Sequence, residues 1–288
     1  MPDFRNTLKR YLPLIKILQT GLLLATGMAG YMSARCPVMH LGAMTQLTLS
    51  LFFAISGSTV LNMVYDRDID ACMERTRLRP LPSGEVTVRA ALVFGIGLSV
   101  VGIGWALLID LLFGTVVVAG LFFDVAIYTI LLKRRTAWSV VWGDISGGMP
   151  ILAGRALAVG QIDWIGIALM LAVLFWIPTH IMTFNMRHKE DYARAGIPTF
   201  SSTYGDNLTR TIIAVSSILA VLAIGSAAYG IQMTWGCLRV LAVLSIGLFS
   251  LAASSLLRPS WKLNFGLFKY ASIFMLSSML LMSFGAIG

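Results

Sequence analysis

The sequence contains few charged residues and very little cysteine. Only 12% of its 288 residues are Asp, Glu, Lys or Arg, whereas 57% are hydrophobic. An ordinary soluble domain has an apolar content nearer half, so the composition excludes that class and indicates a polytopic membrane protein. The three cysteines, Cys36, Cys72 and Cys237, share no close spacing. They therefore form neither a disulfide framework nor a cysteine-based metal cluster.

Long apolar runs, each of about 20 residues, fill most of the chain and are long enough to cross a bilayer as helices. The first run is too long for the apolar core of a signal peptide and lacks a clear cleavage site, so we expect no cleavable signal. We count nine runs and predict an all-α fold. They lie near residues 12–33, 41–61, 90–109, 112–132, 138–158, 164–184, 211–230, 236–257 and 267–286.

The net charge of +9 comes from 22 Lys and Arg residues against 13 acids. Such a surplus can indicate a nucleic-acid partner, but in a membrane chain it reports topology, and we expect no nucleic acid. With the N-terminus in the cytoplasm, only Arg35, Arg155 and Arg239 fall in outer segments. We therefore predict an integral protein of the cell or inner membrane with its N-terminus inside and its C-terminus outside. The two longest polar loops then lie on the cytoplasmic side.

The first of these loops, residues 62–84, concentrates four acids and four arginines. Asn62, Asp66 and Asp70 are spaced i, i+4 and i+8, so they share one face of a continued helix. Hard oxygen ligands on one face suit Mg²⁺, which completes its octahedron with water and phosphate oxygens. We interpret the loop as a binding site for magnesium and a diphosphate, in which arginine side chains form bidentate hydrogen bonds to the phosphate. The alternative is a solvated loop with local ion pairs. The arginines are Arg67, Arg75, Arg77 and Arg79.

The second loop, residues 176–200, begins inside the sixth run. An even number of spans separates it from the first, so we expect the two half-sites to face each other. Asn185 and Lys189 lie one turn apart and are candidates for diphosphate binding. The metal ligand here is left open between Glu190 and Asp191, because no i, i+4 pair of acids exists. A solvated loop of mixed charge is the alternative.

A third polar cluster, Y-T-I-L-L-K-R-R-T, lies between the two loops. Lys133 and Arg134 are placed to contact phosphate, and they also satisfy the positive-inside pattern. The ring face of Tyr128 can stabilise a carbocation, although a tyrosine at a helix end is often only packed. Asp124 and Asp144 fall within spans, where an ionisable group is costly. Each is a functional candidate or the neutralising partner of a nearby cation.

Trp176, His180 and Phe184 form one stripe on the sixth run at i, i+4 and i+8. If the two loops face each other, this stripe points into the space below the metal site. We interpret it as an acceptor-binding surface. Helix packing is the alternative, and His180 can equally be a hydrogen-bonded structural histidine.

Together these motifs resemble those of the UbiA superfamily of intramembrane prenyltransferases. The resemblance rests on N-x-x-x-D-R-D-I-D-A-x-M-x-R-T-R-x-R-P-L-P-S-G, on Y-T-I-L-L-K-R-R-T, on G-G-M-P-I-L-A-G and on E-D-Y-A-R-A-G-I-P, in order over residues 62–200. Within the superfamily they are most similar to the protohaem IX farnesyltransferase (haem O synthase) branch. That branch usually has P-H-F where this chain has P-T-H-I, and an apolar residue is common at the position of Arg155.

The resemblance implies one transmembrane domain over residues 1–288, with nine helices around a central cavity, a cytoplasmic cap and a lateral opening to the membrane lipids. It also implies Mg²⁺-dependent transfer of a prenyl group from an isoprenyl diphosphate, with farnesyl transfer to haem B as the first choice. A quinone precursor or a glycerol phosphate lipid is the alternative acceptor. A transporter of phosphorylated lipids is the alternative of a different class.

The resemblance also assigns roles to individual residues. Asn62, Asp66 and Asp70 match the first Mg²⁺ motif, and Glu190 and Asp191 match the second approximately. We expect Asp66, Asp70, Asp191 and Tyr128 to take part in catalysis. The implied diphosphate contacts are Lys133, Arg134 and the cluster of Arg75, Arg77 and Arg79.

Overall fold

The computed structural model describes residues 9–34 and 40–285, and all regular structure within them is helical. The predictions on Arg35 and Cys36 fall outside these residues. Nine helices of at least 16 residues make up the bundle in the described part. They are α1 (Ile17–Met32), α2 (Leu41–Tyr65), α3 (Val88–Ile109), α4 (Leu111–Leu132), α5 (Ser139–Val159), α6 (Trp164–Arg187), α7 (Asp206–Ile231), α8 (Trp235–Leu257) and α9 (Trp261–Gly285).

Short helices supplement the bundle at Leu12–Ile15, Arg67–Cys72, Lys189–Arg194 and Phe200–Tyr204. The last three lie in the two long loops, which follow α2 and α6. Because α2, α4 and α6 run in the same direction through the bundle, their last residues lie at one end of it. We call this the motif end.

Seven of the helices in the described residues are long and apolar enough to cross a membrane, and an eighth counts if Lys9–Ile15 and α1, bent by 47° at Lys16, form one span. The predicted fifth span is helical, as α5, but it is not among the seven. Asp144 and Arg155 lower its hydropathy, as do its many small residues. The all-helical prediction is confirmed, whereas the predicted number of nine spans is not.

Helices α1 and α5 cross in backbone contact. A Cβ atom added at Gly30 would lie 2.0 Å from the carbonyl oxygen of Ile151, and one added at Gly154 would lie 1.9 Å from that of Gly27. Small residues allow this approach, which is a common means of joining helices where lipid leaves no hydrophobic driving force. The crossing fixes α1 against the centre of the bundle.

Arg155, near the end of α5, contacts Ser33 at the end of α1 and Asp163 just before α6. Its guanidinium donates to both carboxylate oxygens of Asp163, at 2.7 and 2.6 Å, and to the carbonyl and hydroxyl oxygens of Ser33, at 2.8 and 2.9 Å. The side chain is buried. A buried arginine needs this degree of pairing to offset its desolvation. Arg155 therefore serves to link the loop before α6 to the end of α1.

The second half of α4, Phe122–Leu132, is a π-helix. Its hydrogen bonds join residues five apart and continue beyond the helix, where the Lys133 amide donates to the Tyr128 carbonyl at 2.8 Å. Such wide turns are frequently found at functional sites. The wide turns place Asp124, Thr129 and Lys133, which are spaced by five and four residues, on one face, where they contact Ser58 and Asn62 of α2 and Asp66 at its end.

We expect Gly154→Ala to lower stability by roughly 1–3 kcal/mol, because the added methyl group would overpack the α1–α5 crossing. Gly104→Ala in α3 is the matched control, since no atom lies within 4 Å of its Cβ position. Thermal unfolding of the detergent-purified variants measures the difference. Equal melting temperatures for the two variants would show that the crossing is looser than described.

Candidate active site

A cavity of about 430 Å³ lies between α1, α2, α4, α5 and α6. Pockets of about 300–1,000 Å³ commonly hold small molecules. Along α2 its lining changes from apolar at Leu51 to polar at Asn62 and Asp66, so the polar end lies at the motif end of the bundle. The polar lining residues include Lys16, Ser58, Asn62, Asp66, Asp124, Tyr128 and Lys133.

Asn62 and Asp66 both face this cavity. The side-chain amide of Asn62 donates to Asp124 at 2.8 Å, and its amide oxygen accepts from the Thr129 hydroxyl at 2.9 Å. One oxygen of Asp66 is ion-paired with Lys133, while the other is buried without a partner. An unpaired buried carboxylate oxygen is costly, so this atom is available to a ligand.

Asp70 lies one turn beyond Asp66, on the short helix Arg67–Cys72. Asp66 leaves helical geometry, with φ −88° and ψ 3°. The amide of Asp66 nevertheless donates to the Asn62 carbonyl at 2.9 Å, and that of Asp70 donates to the Asp66 carbonyl at 2.8 Å. The i, i+4, i+8 register is therefore retained through an interrupted helix. Asp70 is buried and pairs with Arg79 at 2.7 Å.

The remaining basic residues at the motif end have different surroundings. Arg75 lies 4.9 Å from the centre of the Phe184 ring, and Arg67 and Arg77 are exposed. Arg134 forks onto Asp68, with nitrogen–oxygen distances of 2.8 and 2.7 Å. These hydrogen bonds hold the pKa of Asp68 below its ordinary value.

Arg134 also donates to the Tyr65 carbonyl at 2.7 Å. It does not line the cavity, so its position gives no support to the predicted diphosphate contact.

The two polar loops pack against each other, as the sequence predicted. Ile69 and Met73 of the first loop form a small buried cluster with Ile197 of the second. The backbone amide of Glu74 donates to the Asp191 carboxylate at 3.3 Å. The loops thus form one continuous cap over the motif end.

Asp191, rather than Glu190, faces the first loop, since Asp191 is buried and Glu190 is exposed. The Arg194 guanidinium, which donates to Asp191, holds the pKa of that carboxyl below its ordinary value. Asn185 is also buried, and its amide oxygen has no partner. Lys189 instead lies at the surface, 3.5 Å from Asp206.

Among residues 9–34 and 40–285, no three His, Cys, Asp or Glu side chains are grouped as a preformed metal site. Mg²⁺ needs no such group, because one or two carboxylates with water and phosphate oxygens suffice. The unpaired oxygens of Asp66 and Asn185 are of the right chemical type. The residues present therefore fit Mg²⁺.

Two of the three predicted acceptor-binding residues line the cavity. The His180 ring stacks between Trp176 and Phe268, with centroid distances of 5.3 and 4.8 Å, and its Nδ1 is buried without a partner. Trp176 is held by a 2.8 Å hydrogen bond to the Ala271 carbonyl. Phe184 lies nearer the cap, in contact with Arg75 and His188.

The sequence reasoning did not identify Lys16 as a site residue. It lines the cavity at the bend before α1, where its backbone is left-handed with φ 44° and ψ 60°. Strained residues of this kind concentrate at functional sites. The signal was a lysine flanked by isoleucines within an apolar run.

Residues 23–276 match the UbiA prenyltransferase family. The protohaem IX farnesyltransferase of Thermofilum pendens is 37% identical over 216 residues, 75% of each chain. That of Mycolicibacterium smegmatis is 35% identical over 239 residues, 83% of this chain and 78% of the relative.

Solved structures share the fold. A digeranylgeranylglyceryl phosphate synthase superposes with a TM-score of 0.82 at 21% identity, over 98% of this chain and 99% of the other. A UbiA homologue from Archaeoglobus fulgidus bound to DMAPP and Mg²⁺ superposes with a TM-score of 0.70 at 17% identity, over 95% and 99%. From the sequence matches, the chain belongs to the UbiA prenyltransferase family and is an integral membrane enzyme that transfers prenyl groups.

Proposed function

We propose that the protein transfers a farnesyl group from farnesyl diphosphate to haem B, giving haem O, in a Mg²⁺-dependent reaction. The observation that carries this proposal is a single cavity that joins a polar end, at Asn62, Asp66 and Lys133, to a wall formed by Trp176 and His180. The names of relatives at 35–40% identity support haem as the acceptor. The predicted orientation, with the motif end in the cytoplasm, is part of the proposal.

The donor diphosphate would lie at the polar end. Asn62, Asp66, Asp70 and Asp191 would hold Mg²⁺, which neutralises charge on the phosphate oxygens when bound. Lys16 and Lys133 line the same end and would contact the diphosphate directly. The Lys133 ammonium lies 5.6 Å from the centre of the Tyr128 ring, so Tyr128 also positions that cation.

Transfer begins as the allylic C–O bond of the donor breaks and its electron pair leaves with the diphosphate. Negative charge on the leaving group grows along this step, so lysine and arginine donors stabilise the transition state more than the ground state. The apolar lining, at Leu51, Val117 and Met149, shields the farnesyl cation from water.

The acceptor would lie against Trp176 and His180. A vinyl carbon of haem then bonds to C1 of the farnesyl cation, and water adds to the carbocation left on the acceptor and loses a proton, which leaves a hydroxyl group on the product. The unpartnered Nδ1 of His180 can accept a hydrogen bond or ligate the haem iron. The stack on Phe268 holds the ring in place for either role.

We expect purified protein supplied with farnesyl diphosphate, Mg²⁺ and haem B to release diphosphate and form farnesylated haem, detected by mass spectrometry. Haem B alone should give a Soret shift that His180→Ala alters. His40→Ala, at the far end of α2, is the matched control. Diphosphate release with a phenolic or glycerol phosphate acceptor, but none with haem, would eliminate haem and leave the family assignment intact.

Asp66→Asn and Asp70→Asn should each lower turnover by about 100-fold or more, since each removes a carboxylate ligand of the Mg²⁺ that stabilises the developing charge on the diphosphate. The amide keeps the shape of the carboxylate but not its charge, so the melting temperature checks that loss of the ion pair with Lys133 or Arg79 has not unfolded the variant. Asp68→Asn is the matched control, because the Asp68 side chain is 60% exposed whereas Asp66 and Asp70 are buried. Near-normal turnover in both Asp66→Asn and Asp70→Asn, measured alongside melting temperature, would refute the metal site.

A further inference from the structure

Asp124 lies inside the α4 span, where an acid needs a physical reason to be present. One of its carboxylate oxygens accepts two hydrogen bonds from α2, each of 2.8 Å, from the Ser58 hydroxyl and the Asn62 side-chain amide. Asp124 lines the polar end of the cavity with both of these residues. Its direct hydrogen-bond partners are two neutral donors, while the cations Lys16 and Lys133 line the same end of the cavity.

These contacts belong to a set that joins α2 to the π-helical half of α4. Asp124 binds Ser58 and Asn62, Thr129 binds Asn62, and Lys133 binds Asp66. Asn62 is the only one of these α2 residues whose two polar side-chain atoms are both engaged. Its orientation is therefore fixed from two sides.

The orientation of the Asn62 side-chain amide follows from the hydrogen bonds that the Asp124 carboxylate accepts. An oxygen that already receives the Ser58 hydroxyl acts toward Asn62 as an acceptor, so Asn62 must present its NH₂ group. The amide oxygen then faces away from Asp124, toward Thr129. A carbonyl oxygen has two lone pairs, and Thr129 uses one of them.

We propose that Asp124 is a positioning residue that fixes the Asn62 amide so that its oxygen is available to the metal–diphosphate complex. This rests on the proposed function, in which Asn62 is a metal ligand. Groups that orient metal ligands typically change metal affinity or activity by about 10- to 100-fold when removed. Asp124 acts through its acceptor oxygen, so an amide at this position should largely replace it.

The test measures binding of Mn²⁺, as a probe for Mg²⁺, to the full-length protein in detergent with unreactive farnesyl thiodiphosphate present. Loss of the free Mn²⁺ signal in electron paramagnetic resonance gives the dissociation constant. We expect Asp124→Ala to raise it about 10-fold or more, Asp124→Asn to restore it to within about 3-fold, and Thr129→Val to weaken binding less than Asp124→Ala. The Mg²⁺ dependence of turnover should follow the same order.

Asp110→Asn is the matched control, because Asp110 caps the other end of α4 by accepting from the Phe113 amide at 2.8 Å, and asparagine caps equally well. Wild-type affinity in Asp124→Ala would overturn the proposal. Equally weak binding in Asp124→Asn and Asp124→Ala would overturn it in favour of a role for the charge. If Asp124→Ala does not fold, Thr129→Val and Ser58→Ala are measured in its place: weaker Mn²⁺ binding in both supports the proposal, and wild-type affinity in both overturns it. No Mn²⁺ binding by the wild type would refute the metal site of the proposed function itself.

Discussion

The ion pair between Asp66 and Lys133 is the contact on which the polar end of the cavity depends. A lone charge this deep in an apolar bundle is costly, so each of these groups makes the other tolerable. The pair also links the end of α2 to the end of α4. The hydrogen bonds of Asn62 to Asp124 and Thr129 link the same two helices further into the bundle. Beyond this ion pair, the two loops of the cap pack against each other through Ile69 and Ile197.

Much of the site could be predicted from spacing alone. The i, i+4, i+8 register identified one face, and the backbone hydrogen bonds through Asp66 retain that register although the helix is interrupted. Because an even number of spans separates the two loops, the sequence predicted that they would face each other, and they meet at Asp191 and Glu74. Both inferences depend on regular geometry, which sequence patterns report directly.

What sequence could not supply was the identity of partners across helices. Periodicity predicts which face a residue occupies, but not which helix lies opposite, so the contacts of Asp124 with Ser58 and Asn62 were out of reach. The π-helical half of α4 also breaks the assumed period. Lys16 was missed for a related reason, because a count of charges by loop assumes that each lysine near a span end lies in solvent. The number of nine spans is not confirmed, because the predicted fifth span, α5, is rich in small and polar residues, which suit contact with other helices rather than lipid.

The glycine contact between α1 and α5 is the point about which α1 would tilt. Gly30 lies 14 residues from Lys16, which along a helix is roughly 20 Å. A tilt of about 3° at the crossing would therefore displace the Lys16 end of α1 by about 1 Å, and a misplacement of that size can cost about 100-fold in rate. In the proposed site, the close packing of α1 on α5, far from any substrate, would therefore set the accuracy with which Lys16 meets the diphosphate.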